Sequence, residues 1–115
     1  MKVKFLSALL LVAVLCSCAW GASLPSITML STTTCPACEQ MSKVMNQLKS
    51  QYKGRIAAAY IHLDENPDMA EKYRDVRYVP TLIFRDASGN EVAREVGYRT
   101  LNQVLAVFKK AGIKI

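Results

Sequence analysis

Thr34-Cys35-Pro36-Ala37-Cys38 is the stretch around which the rest of the chain is arranged. Two cysteines with two residues between them close a strand-like run, Ser26 to Thr34. They also open a segment in which Met41, Val44, Met45, Leu48 and Tyr52 recur at helical spacing. This pattern predicts a helix from Pro36 to near Gly54, a good stop residue, with Cys35 at its N-terminus. Unpaired backbone N–H groups and the helix dipole favour an anion at that place, and the thiolate is the attacking species in thiol–disulfide exchange. Pro36 suits the first turn, where its missing N–H leaves no bond unmade. Cys38, about one turn on, falls within reach of whatever Cys35 has attacked.

Two other uses of the pair fit the spacing: a structural bridge and half of a zinc site. A bridge over two residues restrains the unfolded chain little, which weighs against a purely structural role. Glu39, not histidine, follows the second cysteine, so the c-type haem signature is absent.

The chain of 115 residues has room for one small domain. Lys2 and Lys4 precede the apolar run Phe5 to Leu15, and small residues follow through Gly21. This layout is that of a secretory signal, and the run is too short for a comfortable transmembrane helix. Residues 1–21 are therefore expected to be a signal peptide and residues 22–115 the folded domain, periplasmic or secreted. Leu15-Cys16-Ser17-Cys18 also resembles a lipoprotein box that would lipidate Cys18, and an uncleaved segment would anchor the protein to the membrane by its N-terminus. Loss of Lys2 and Lys4 brings the net charge from +6 to +4. The remaining charge is scattered, which argues against a nucleic-acid partner. Cleavage after Gly21 leaves Cys35 and Cys38 as the remaining cysteines, too few for a four-cysteine metal site within one chain. No resident metal or cofactor is expected.

Further along, Arg55 to Leu63 reads as a second strand. Its continuous apolar character is that of a strand covered on both faces. Strand, helix, strand in this order favours a parallel unit, with Cys35 at the carboxyl end of a strand, where open α/β sheets place their sites. His62, the chain's single histidine, invites a proton-shuttle role beside the redox pair, but its place inside a strand, 24 residues past Cys38, reads as structural or partly exposed. Asn66-Pro67 starts a short helix burying Met69, Ala70 and Tyr73. The β-rich run Val76 to Phe84 contains Pro80, which is tolerated at a strand's first residue. Asp86 to Asn90 is a turn, Glu91 to Val96 returns as an outer strand, and Thr100 with Gln103 forms a capping-box pattern ahead of a last helix lined by Leu101, Val104, Leu105 and Phe108.

From Ser26 to Gly112 these pieces resemble the thioredoxin-like family: Cys35-Pro36-Ala37-Cys38 after the first strand, Leu63-Asp64-Glu65-Asn66-Pro67 before the short helix, Val79-Pro80-Thr81 before the hairpin, then Gly89 and Gly97. The resemblance implies a minimal α/β thioredoxin fold, β-α-β-α-β-β-α, with a four-stranded mixed sheet flanked by three helices. It implies a redox-active disulfide, with Cys35 the exposed nucleophile and Cys38 the more buried resolving thiol. Thr34, Pro36 and Ala37 would form the active-site loop. Pro80 would be cis and face the pair, and the backbone of Val79, between Tyr78 and the Pro80-Thr81 step, would bond an incoming substrate strand.

The chain departs from the family in three respects. With the expected signal removed, it would lack room for the extra strand and helix that usually precede this core, and Thr34 replaces the usual tryptophan. Met29 and Tyr60 occupy the positions of a buried acid and a lysine that handle protons. Glu39 is a candidate substitute in proton transfer. The expected protein is a monomeric, exported thiol–disulfide oxidoreductase. It would exchange with protein disulfide or dithiol substrates, more in the reducing than the oxidising direction, and a membrane or soluble redox partner would restore it. A thioredoxin-like module that holds Cu(I) or Zn²⁺ on the thiol pair, or a redox-inactive interaction module, is the alternative.

Overall fold

A computed structural model describes residues 23–115; the signal-peptide and lipidation expectations, including Cys18, fall outside them. The chain runs β1 (Ser26–Ser31), α1 (Pro36–Gln51), β2 (Ala57–His62), a 3₁₀ turn (Leu63–Glu65), α2 (Pro67–Lys72), β3 (Thr81–Arg85), β4 (Glu91–Val96) and α3 (Leu101–Lys110). This is the minimal thioredoxin fold expected from the sequence. Among the described residues no helix is long and apolar enough to cross a membrane.

The sheet is ordered β2-β1-β3-β4. β1 pairs parallel with β2, Ser26 opposite Ala57 and Ser31 opposite His62. It pairs antiparallel with β3, Ile27 opposite Phe84 and Leu30 opposite Thr81. β3 and β4 form the hairpin, turned at Gly89, whose φ of 89° lies where other residues are strained. β1 and β3 are central and almost wholly buried, because Ile27 to Leu30 and Leu82 to Phe84 meet side chains on both faces.

On one face Met41, Val44, Met45 and Leu48 of α1 and Val104 and Phe108 of α3 pack on Ile27, Met29, Leu82 and Phe84. Phe108 meets Phe84 edge to face, centroids 5.1 Å apart. On the other face Leu30, Tyr73 and Ile83 form a second core with Met69 and Val76 packed against it. The hydroxyl of Thr100 accepts from the Gln103 backbone and the Gln103 side chain accepts from the Thr100 backbone, so both halves of the capping box at α3 are made.

Three local expectations are corrected. β2 is not covered on both faces: it is a sheet edge, with Ala57, Ala59 and His62 exposed. Alanine is small enough to be exposed at little cost, so an alanine-rich run looks apolar without needing burial. β1 ends at Ser31, and Thr32 to Thr34 form the loop into α1. The strand expected within Val76–Phe84 begins at Thr81, because Pro80 has no N–H to give a ladder.

Candidate active site

The cysteine pair stands just beyond the carboxyl end of β1. That strand delivers Thr32, Thr33 and Thr34 to the loop, and α1 starts immediately after Cys35. Cys35 is the N-cap, in extended conformation, with Pro36 at the first helical position. Its carbonyl accepts from the N–H groups of Cys38 (3.1 Å) and Glu39 (3.2 Å). Its sulfur also accepts from the Cys38 N–H at 3.2 Å. A first-turn helix donor, shared with the Cys35 carbonyl, thus points at the sulfur, a placement that favours a thiolate.

The two cysteines are joined in a disulfide, their Cα atoms 5.2 Å apart. Cys35 is half-buried, whereas Cys38 is only 5% exposed. Thr34, Pro36 and Ala37 are exposed around Cys35, and Glu39 is exposed on the first turn.

A cavity of about 300 Å³ opens beside the disulfide. Cys35, Cys38 and Glu39 border it together with Met29, Ser31, Tyr60 and His62. Tyr60 projects from β2 toward α1, where its hydroxyl donates to the Ser42 carbonyl (3.2 Å) and to Asn46 Oδ1. Burial raises its pKa, so the phenol keeps its proton at neutral pH. His62 lies two residues on, and its Nδ1 is 3.1 Å from the hydroxyl of the fully buried Ser31. A larger cavity of about 700 Å³, at the far ends of α1 and α3 around Tyr52, Leu105 and Ile113, carries no thiol or imidazole.

The approach loop is tied down from outside. Thr33 donates its hydroxyl and its N–H (3.0 Å) to Asp64 in the 3₁₀ turn. The Thr33 hydroxyl, then its N–H, hold the Asp64 carboxyl below the ordinary carboxylate range.

The Val79–Pro80 peptide bond is cis, and Pro80 is buried. The Leu30–Thr81 pairing brings Pro80 to the end of β1 from which the chain runs to Cys35. Gly97 N–H donates to the Pro80 carbonyl at 2.8 Å, and Thr81 Oγ1 donates to the Tyr78 carbonyl at 2.6 Å, which fixes the loop on β4. Val79 and Pro80, on the neighbouring loop, and Thr81, at the start of β3, stand outside the cavity walls. Tyr78, Val96 and Tyr98 are exposed around this loop.

Sequence reasoning treated the Ser31 hydroxyl as spacing, noted Tyr60 as the place of a missing lysine and weighed a proton shuttle at His62 before preferring a structural role; the structure puts all three on the cavity. The available signal was the period of two along β2, which turns residues 60 and 62 to one face. No acid or lysine stands at Met29 or Tyr60, and Met29 is itself part of the core.

Comparison with known proteins gives a consistent result. A family model described as a thioredoxin-like domain matches residues 19–112. A thioredoxin of Staphylococcus aureus is 34% identical over 79 residues, 68% of this chain and 73% of its own length. Among solved structures, a malarial protein superposes with a TM-score of 0.69 at 27% identity, covering 76% of this chain and 97% of that one. Thioredoxin-2 of the malaria parasite, described as a component of its protein secretion machinery, gives 0.67 at 28% identity over 76% of this chain and 84% of its own. Chloroplastic thioredoxin z, at 23% identity and 0.68 over 78% of this chain and 80% of its own, shares the fold.

Proposed function

The chain belongs to the thioredoxin-like family and is a thiol–disulfide oxidoreductase, and from that premise we propose that it is an exported, monomeric reductase of protein disulfides in which Cys35 attacks and Cys38 resolves. The observation that carries the assignment of roles is the difference between the two sulfurs. One is half-exposed at a helix N-terminus and accepts a backbone N–H; the other is buried one turn behind it.

In the reducing direction, Cys35 thiolate attacks one sulfur of a substrate disulfide. That S–S bond breaks and its electron pair leaves on the other substrate sulfur, giving a mixed disulfide. Cys38 then attacks Cys35 Sγ, the second substrate thiolate departs, and the Cys35–Cys38 disulfide closes. Two electrons have passed to the substrate, and an external dithiol partner, membrane-bound or soluble, restores the pair. Thr34, Pro36 and Ala37 shape the loop against the substrate. The Val79 backbone next to Pro80 and Thr81 receives an extended substrate segment, so recognition is mainly through the main chain. Glu39 is a secondary candidate for proton transfer.

Export is supported by Lys2, Lys4 and the apolar run through Leu15, with residues 1–21 as a signal or lipoprotein segment and residues 22–115 as the domain. The reducing direction is supported by the likeness to proteins named thioredoxin. The test is the reduction potential of the Cys35–Cys38 couple, together with reduction of an insulin-type disulfide. A potential toward about −270 mV is expected, and one near about −120 mV would reverse the direction.

A further inference from the structure

We infer that His62 takes the proton of Cys38 during the resolving step, across the cavity that both residues border. The inference rests on the thiol–disulfide reading above. It addresses what that reading leaves open: Cys38 must lose a proton to attack, it is buried, and Met29 and Tyr60 cannot act as an acid–lysine pair.

Three titratable side chains line the cavity besides the cysteines: Glu39, Tyr60 and His62. Tyr60 is an unsuitable acceptor, since its hydroxyl is committed to Ser42 and Asn46 and keeps its proton at neutral pH. Glu39 is exposed in the first turn of α1, and a carboxylate is a much weaker base than an imidazole. Histidine is the side chain that exchanges a proton between about pH 5 and 8, which matches the task.

The local geometry prepares the ring. The buried Ser31 hydroxyl donates to the Ile61 carbonyl (3.4 Å) and lies 3.1 Å from His62 Nδ1. With that proton directed at Ile61, the Ser31 oxygen accepts from Nδ1–H, which leaves Nε2 as the basic nitrogen. Asp64 and Glu65 each bring an oxygen into a cluster with a His62 ring nitrogen, all within 4.8 Å. The cavity is wide enough for solvent to relay the proton. Cys38–SH gives its proton to neutral His62, and the resulting thiolate attacks Cys35 Sγ of the mixed disulfide. The bond to the substrate sulfur breaks, and the departing thiolate takes the proton back from the imidazolium.

The experiment is single-turnover kinetics of the reduced protein with a quenched fluorescent peptide disulfide, which separates formation of the mixed disulfide from its resolution. His62→Gln and His62→Ala should leave formation within about twofold and slow resolution about 10²-fold at pH 7. Added imidazole should restore resolution in His62→Ala and leave wild type unchanged, a response that loss of a merely structural histidine would not give. Resolution at the wild-type rate from pH 5 to 8 in both variants overturns the inference, as does an equal slowing by Glu39→Gln with no imidazole rescue of His62→Ala. Wild-type protein that forms no mixed disulfide sinks the exchange reading itself and the inference with it.

Discussion

Tyr60→Phe tests how the cavity wall is held. The Tyr60 hydroxyl has one proton, shared between the Ser42 carbonyl and Asn46 Oδ1, and it is the tie between the edge strand β2 and α1 at the level of the site. Deleting the oxygen leaves the ring in place, and with it the Lys49 ammonium, which sits 4.3 Å above the ring centroid. The loss is therefore one net hydrogen bond, about 0.5–1.5 kcal/mol, and not the larger cost of an emptied site. Asn46 is exposed and finds water, which places the expected value near 1 kcal/mol. For a domain of this size that corresponds to a fall in Tm of about 4–8 °C.

The same substitution has a signature at high pH. Burial raises the pKa of Tyr60, so the folded state holds the phenolic proton more tightly than the unfolded chain. Stability is then fully present below the ordinary tyrosine value of about 10 and declines as pH rises through the folded value. Tyr60→Phe removes that part of the alkaline decline. Urea unfolding followed by circular dichroism at pH 7 and across the alkaline range checks both effects. A variant as stable as wild type at pH 7, or one that loses more than about 3 kcal/mol, would refute the reasoning.

Two further predictions concern the frame around the site. Phe108 is fully buried and edge-on to Phe84, so Phe108→Ala should cost about 3–5 kcal/mol in urea unfolding; a loss under about 1 kcal/mol would mean that α3 does not close the core as described. Asp64 has a lowered pKa through Thr33, so its contribution is present above the ordinary carboxylate range and lost as pH falls through the folded value. Asp64→Asn should flatten the acid limb of a stability-against-pH curve and raise amide exchange at Thr33, and an unchanged acid limb would contradict the Thr33 anchor.

The elements with strong local signals were readable from the residues alone. α1 follows from the spacing of Met41, Val44, Met45 and Leu48, and the start of α3 from Thr100 and Gln103, because helix faces and caps are local properties. What escaped reading depends on partners distant in sequence. Whether Ala57 to His62 is a central or an edge strand is decided by which strand lies beside it, and a run of alanines fits either place. The Thr33–Asp64 tie joins residues 31 apart, so no local pattern announces it. His62 stood out as the single imidazole near a redox pair, but 24 residues separate it from Cys38, so no local pattern puts both on one cavity. Its place on the cavity wall becomes visible only once β2 is laid parallel to β1, with Ser31 opposite it.

The most direct test of the account is to trap the exchange intermediate. Cys38→Ser, incubated with a protein disulfide substrate and analysed by mass spectrometry after alkylation, should accumulate substrate bonded through Cys35. Cys35→Ser should accumulate none through Cys38, which is buried. Equal trapping by both variants, or trapping through Cys38, would contradict the assignment of the exposed sulfur as nucleophile and the buried one as its resolver.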